Sequence, residues 1–216
     1  GGKHTIAILG GTGDLGSGLA KRWLAAGHKV AVGSRTAEKA EAFAKILGGR
    51  AQGCDNLNAA KAADIVVLAV PFSSHDATIN EIKDVVQGKI VVDAAVPLVP
   101  PKVSTVQLPA EGSAAQIAQR LLGDGVNVVS AFHNVGATKL HDGESVDCDV
   151  LVFGNDKESR EVVIALAGEI GTRGIDGGML ANSAAAEALT SVLIAINRRY
   201  KVPGAGIRIT GLPPAG

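Results

Sequence analysis

The sequence predicts an α/β fold with a doubly wound parallel sheet and a small C-terminal α/β domain. Strand-like and helix-like segments alternate along the chain, which favours a parallel sheet covered by helices. The core is aliphatic, because 46% of the residues are hydrophobic and only 3% aromatic. Residues 6–16 join a buried-strand pattern to a glycine-rich turn, as a Rossmann sheet requires. For 216 residues we expect a Rossmann domain over 1–154 and the small domain over 155–216.

The individual elements follow from hydrophobic periodicity and from the residues that interrupt it. Strands are expected at 6–9, 29–33, 64–70, 89–93, 127–130, 149–153 and 172–175, with a weaker candidate at 50–53. Helices are expected after the glycine turn and at 36–47, 55–62, 74–86, 113–122, 155–170 and 180–199. Residues 94–112 contain Pro97, Pro100, Pro101 and Pro109 and are predicted to form a long extended loop. In the Gly- and Pro-rich tail 204–216, only residues 207–209 are expected to pair or pack.

The glycine turn predicts a site for a dinucleotide. Gly11 can adopt backbone angles closed to other residues, Gly13 lets the chain approach a ligand, and Gly16 lets the helix lie close to the strand. Free amides at the helix N-terminus then face a pyrophosphate. An ordinary strand-to-helix turn is the alternative, but the flanking apolar patterns favour the dinucleotide.

In a doubly wound sheet, ligands bind beyond the carboxyl ends of the strands, where the strand order reverses. This rule predicts which parts of the chain line one crevice. They are Gly10–Leu15, Ser34–Thr36, Val70–His75, Ala94–Leu98 and Ala131–Val135.

The end of the second strand indicates NADP rather than NAD. An NAD enzyme usually carries an acidic residue there, whereas this chain has Ser34 and Arg35. An arginine suits a 2′-phosphate that a carboxylate would repel, and Lys39 adds a charge one helical turn later. The alternative is a solvated helix start, although cations there oppose the helix dipole.

Two segments are candidates for the side of the second reactant. Val70, Pro71 and Phe72 follow the central strand where the nicotinamide ribose would pass, or simply end a strand with a core aromatic. His133 ends another strand on the same side and could position a bound ring or serve a structural role.

Other polar residues give weaker signals. His75 and Asp93 share this location, whereas His4, His28 and His141 are interpreted as surface or packing residues. Neither a catalytic triad, a carboxylate pair nor a metal-ligand cluster emerges, and hydride transfer between stacked rings needs none.

The composition argues against several other classes of protein. Lys and Arg together number 21, as do Asp and Glu, so no general affinity for nucleic acid or anionic membranes is indicated. We expect no leader and no apolar run long enough to span a bilayer. Cys54 and Cys148 are expected to be reduced thiols, as in a cytoplasmic protein, although one disulfide between them is an alternative.

Together these motifs resemble the F420-dependent NADP oxidoreductases over nearly the whole chain. Residues 9–16 are similar to the family's GGTGxLG turn, residues 32–35 with Lys39 to its NADP-phosphate site, and residues 70–72 to its VP-aromatic segment. Later landmarks of the family are similar to residues 130–133, 176–183 and 206–208.

The resemblance implies roles for these residues. Thr12, Asp14 and Leu15 would contact the pyrophosphate, and Ser34, Arg35 and Lys39 would hold the 2′-phosphate. The deazaflavin ring of coenzyme F420 would stack on the nicotinamide in a cleft lined by a second set of residues. This set is His133, Asn134, Val135, Ala205, Gly206 and Ile207. Members of the family are homodimers in which the C-terminal domains contribute to the interface.

The chain departs from the family pattern at two places. Asp14 stands where an Asn is often found, so its carboxylate must avoid the pyrophosphate, and residues 210–216 extend past the usual end, near the expected deazaflavin cleft. Two other functions remain open. The cytosolic domains of the STEAP metalloreductases share similar motifs, which would indicate a flavin or ferric reductase, and a non-catalytic NADP-binding sensor would carry the same site.

Overall fold

The computed structural model describes residues 2–214, so Ala215 and Gly216 of the C-terminal extension lie outside the described residues. Its centre is a sheet of eight strands in the order β3-β2-β1-β4-β5-β6-β7-β8. The strands are β1 Thr5–Leu9, β2 Lys29–Ser34, β3 Ala51–Asp55, β4 Ile65–Leu68, β5 Ile90–Asp93, β6 Asn127–Ser130, β7 Asp149–Gly154 and β8 Arg173–Gly178. Strand order reverses between β1 and β4, so the prediction of a doubly wound α/β sheet is confirmed.

Within residues 2–214, seven α-helices cover the two faces of this sheet. They are α1 Asp14–Ala25, α2 Ala37–Leu47, α3 Asn56–Ala62, α4 Phe72–Ile82, α5 Ala114–Leu122, α6 Lys157–Glu169 and α7 Ser183–Tyr200. Alternate residues of β1 belong to different cores: Ile6 and Ile8 pack in one cluster, Ala7 and Leu9 in the other. Both faces are therefore buried, which explains the nearly continuous apolar strands.

The last two strands, β7 and β8, depart from the predicted parallel arrangement. β7 runs antiparallel to β6, with Ser130 opposite Phe153, because only a short 3-10 helix, Ala137–His141, and no crossover α-helix separates these two strands. β8 then pairs parallel to β7 and extends the same sheet. The C-terminal part therefore continues the main sheet, and the division at residue 154 stays a prediction.

The predicted loop and the cysteines agree with the structure. Residues 94–112 contain no helix or strand, as the prolines indicate. Cys54 and Cys148 are free thiols, and burial raises the pKa of both.

The last helix differs from expectation. Leu180–Tyr200 is long and apolar enough to cross a membrane by length and composition, contrary to the sequence prediction that no such run exists. A core helix of a globular domain passes the same test. In this segment Ser183 and Glu187 are buried and hydrogen-bonded to each other.

Candidate functional site

A cleft of about 710 Å³ lies at the carboxyl ends of β1, β2, β4 and β5, at the reversal of strand order. Cofactor sites typically measure about 300–1,000 Å³. Its lining comes from the glycine turn, the start of α2, the start of α4 and the loop after β5. These residues are Gly10, Thr12, Gly13, Asp14, Leu15, Ser34, Arg35, Lys39, Asn56, Ala69, Val70, Pro71, Phe72, Ser73, Ser74, Thr78, Ala94, Ala95, Val96, Leu98, Pro100 and Val103.

The glycine turn is shaped to leave backbone amides available. Gly10 has a φ of +76°, and the Gly10 and Gly11 amides both donate to the carbonyl of Gly33 on the neighbouring strand. A Cβ on Gly16 would lie 2.6 Å from the Gly10 carbonyl oxygen, so only glycine permits this approach of helix and turn. α1 begins at Asp14, and its first amides have no acceptor within the helix. An anion at this end would receive those donors and the positive end of the dipole.

Two exposed cations stand at one end of the cleft. Ser34 is 9% exposed and ends β2, whereas Arg35 and Lys39 are exposed at the start of α2. Within residues 2–214 neither cation takes part in an ion pair. Their charge is therefore available to an anionic ligand, as the interpretation of a 2′-phosphate site requires.

The other end of the cleft is apolar. Val70, Pro71 and Phe72 line it together with Ala94–Val96. The long loop after β5 adds Leu98, Pro100 and Val103, so this loop borders the cleft. Such a surface suits a planar ring and excludes water from it.

Most of the residues predicted for the dinucleotide are brought together here. The exception is Gly11, which is buried beneath the turn, where its amide shapes the backbone. Sequence reasoning missed five lining residues: Asn56, Ala69, Thr78, Pro100 and Val103. Asn56 follows β3, the strand next to the one that ends in Ser34, and no local sequence pattern marks it as part of a site.

The segment 131–135 was expected to line the same crevice, and it does not. Phe132 adopts a φ of +69°, and the chain turns inward after β6, where antiparallel β7 and α7 cover it. His133 and Asn134 are each 8% exposed. Their role in binding the second reactant stays a prediction.

A buried ionic pair supports the apolar end of the cleft. His75, on α4, is fully buried, and its Nε2 lies 2.7 Å from Oδ2 of Asp93 at the end of β5. The other oxygen of Asp93 accepts a hydrogen bond from the amide of Ala95, which lines the cleft. Although burial opposes it, hydrogen bonding and charge from Asp93 and Asp76 raise the pKa of His75 to about 9.

A second buried polar chain surrounds His133. Its Nε2 lies 2.6 Å from the hydroxyl of Ser130, which also contacts the hydroxyl of Ser183. Ser183 donates to Glu187 at 2.5 Å, and Glu187 accepts from the amide of Ala114 at the start of α5. Burial lowers the pKa of His133 to about 4 and raises that of Glu187 to about 7.

The predicted C-terminal segment lies against the His133 segment. A Cβ on Gly206 would be 4.0 Å from the carbonyl oxygen of Asn134. The amide of Asp149 donates to the carbonyl of Ile207, and the carboxylate of Asp149 accepts from the amide of Ile209. The structure therefore brings residues 133–135 and 205–207 together, and Ile207 and Ile209 pair with Asp149 of β7, as expected for residues 207–209.

Comparisons with known proteins give consistent matches. A model of the family described as NADP oxidoreductase, coenzyme F420-dependent, matches residues 5–97. The F420-dependent NADP reductase of Methanocaldococcus jannaschii is 47% identical over 96% of this chain and 98% of its own. A crystal structure of a candidate F420-dependent NADP reductase from Arthrobacter sp. FB24 has a TM-score of 0.82 and 25% identity, covering 96% of this chain and 99% of that one.

A more distant relative bears on the alternative function. The metalloreductase STEAP3 of Rattus norvegicus is 29% identical over 92% of this chain, which spans 38% of that protein.

Proposed function

The chain belongs to the family of F420-dependent NADP reductases, and we propose that it catalyses reversible hydride transfer between NADPH and the deazaflavin coenzyme F420. The observation that carries this proposal is the identity of 47% across nearly the full length of a reductase with that activity in its name. The cleft adds independent support, because its position, its amides and its cations suit NADPH.

Different residues of the cleft bind different parts of NADPH. Thr12, Gly13 and Leu15 present the turn and the N-terminus of α1 to the pyrophosphate. The Asp14 carboxylate is exposed and can point to solvent, where it also complements the positive end of the helix dipole. At the cationic end, Ser34, Arg35 and Lys39 bind the 2′-phosphate.

The apolar end performs the positioning that hydride transfer requires. NADPH supplies a hydride, which the oxidised deazaflavin accepts together with one proton. Phe72, Val70 and Ala95 enclose the nicotinamide and keep water from it. No acid or base is needed to move the hydride itself, which agrees with the apolar lining.

We place the deazaflavin beside the segment that contains His133, Asn134 and Val135 and the segment Ala205–Ile207. The contact between these segments supports this assignment. The proposed homodimer would use the partly exposed face of α7, where Val192 is 42% exposed. A cytoplasmic location agrees with the free cysteines.

The proposal is tested by one assay with three acceptors. The purified protein is mixed with NADPH and oxidised F420, and the loss of deazaflavin absorbance is followed. We expect turnover with F420, and much slower oxidation of NADPH when FAD or FMN replaces it. Turnover with a flavin alone would contradict the proposal and favour a flavin reductase, to which the likeness to STEAP3 points. Tight binding of NADPH without oxidation by any acceptor would indicate a sensor.

A further inference from the structure

One residue that lines the cleft has a polar side-chain atom that forms no hydrogen bond within the protein. Asn56, the first residue of α3, is 5% exposed, and its Oδ1 is buried without a hydrogen-bond partner. Buried polar atoms of folded proteins are usually hydrogen-bonded, so an unpartnered one marks a carboxamide that is not committed to a partner within the protein. Its neighbour Asp55 does not share this state, because the Asp55 carboxylate accepts from the amide and the side chain of Asn58.

The position of Asn56 links it to the cationic end of the cleft. β3 pairs with β2 so that Asp55 lies opposite Ser34, and Asn56 is the next residue. It lines the cleft together with Ser34, Arg35 and Lys39. A ligand group held by those residues is therefore within reach of the Asn56 side chain.

The orientation of the carboxamide indicates which of its ends faces the ligand. Oδ1 lies 2.7 Å from the point where a Cβ on Gly33 would be, in a space also bounded by Leu9 and Ala59. Gly33 thus leaves room for this oxygen. Because the oxygen and nitrogen of a carboxamide lie on opposite sides of its carbon, the inward oxygen leaves the NH₂ group toward the cleft.

We propose that Asn56 is a further specificity-determining residue, which donates a hydrogen bond from its carboxamide to the 2′-phosphate of NADPH. Its NH₂ group is a donor, and phosphate oxygens accept. The inference rests on the proposed use of NADPH and assigns it one more ligand. It also gives Gly33 a role, because any side chain there would displace the Asn56 oxygen.

The test uses binding, so that it does not depend on the acceptor. Affinities of the full chain for adenosine 2′,5′-bisphosphate and for adenosine 5′-monophosphate are measured by titration calorimetry. In Asn56→Asp the donor is replaced by a carboxylate, and we expect about a tenfold loss for the bisphosphate, with less than a twofold change for the monophosphate. Asn56→Ala, which adds no charge, should show the same selectivity with a smaller loss.

Gln52→Glu is the matched control, because it adds the same charge at an exposed position on β3. It should change neither affinity by more than about twofold, since solvent screens an exposed charge. Thermal melting verifies that each variant is folded. An equal loss for both ligands, or no loss in Asn56→Asp, would overturn the inference. If the unchanged protein does not prefer the bisphosphate, the proposed use of NADPH fails instead.

Discussion

The two sides of the proposed reaction site are held by different chemistry. At the cleft, a buried ionic pair between His75 and Asp93 fixes the end of β5, and the exposed cations Arg35 and Lys39 are available to bind an anion. Around His133, by contrast, neutral hydroxyls connect the ring to Glu187, and no cation is part of that chain. The cleft of about 710 Å³ lies on the first side.

The two sides therefore differ in what holds their backbone in place. The cleft needs a fixed backbone, because it binds the dinucleotide through amides and closely packed glycines that tolerate little displacement. The ionic pair between His75 and Asp93 holds this backbone in place, since Asp93 also accepts a hydrogen bond from the amide of Ala95. The His133 side is organised by hydrogen bonds from β6, α5 and α7, so its geometry depends on how three elements pack.

Removing the carboxylate behind the cleft should have the largest effect. In Asp93→Ala, His75 loses its buried partner, and breaking such a pair costs about 3–5 kcal/mol. We expect the free energy of unfolding, measured with urea at pH 6, to fall by that amount. Asp76→Asn is the control: its carboxylate also bonds His75 but is 60% exposed, so the loss should be under about 1 kcal/mol. Equal losses in both variants would show that burial of the pair is unimportant.

The same pair predicts a pH dependence. Because the folded-state pKa of His75 is raised from 6.5 to about 9, its stabilisation is present below pH 6.5 and is lost as the pH rises to 9. The unchanged protein should lose roughly 3 kcal/mol across this window from this group. The slope should be much smaller in Asp93→Ala. An equally steep slope would assign the titration to another group.

A third prediction concerns recognition at the cationic end of the cleft. Arg35→Ala removes a charge-assisted donor to the 2′-phosphate, so kcat/KM for NADPH should fall about 10- to 100-fold. NADH lacks that phosphate, and its kcat/KM should change less than about threefold by the same reasoning. Arg50→Ala removes an equal charge at another exposed position and should leave both values nearly unchanged. An equal loss for the two nucleotides would contradict the phosphate assignment.

The same contrast explains how much of the molecule the sequence predicts. The glycine turn and Ser34-Arg35 are local patterns that each follow a strand, so position in the chain was enough to place them in one cleft. The sequence places His75 and Asp93 at the same edge of the sheet, but their pairing depends on how separate elements meet, as does the position of Asn56, and no local pattern contains that information. Residues 131–134 are buried where β7 returns antiparallel to β6, and the alternation of strands and helices does not indicate that return.

The smallest effects are expected at the C-terminal tail, where the His133 side can be changed without altering the residues of the cleft. Arg208 bonds Asp149 at 2.9 Å and Asp147, and Arg173 donates to the carbonyl of Ile209, so residues 205–209 are anchored. Arg208→Ala should destabilise the protein by about 1 kcal/mol or less, because its side chain is 47% exposed. If this tail borders the deazaflavin, the KM for F420 should rise in this variant and that for NADPH should not.

Truncation after Thr210 isolates the extension from that anchor. Residues 211–214 are exposed and lie beyond the last anchoring bond, at Ile209. Stability should therefore stay within about 0.5 kcal/mol of the full chain, as for other surface changes. The KM for F420 should change less than about twofold, since the anchored residues 205–207 remain. A larger rise in the KM for F420, with that for NADPH unchanged, would place the extension itself at the acceptor side.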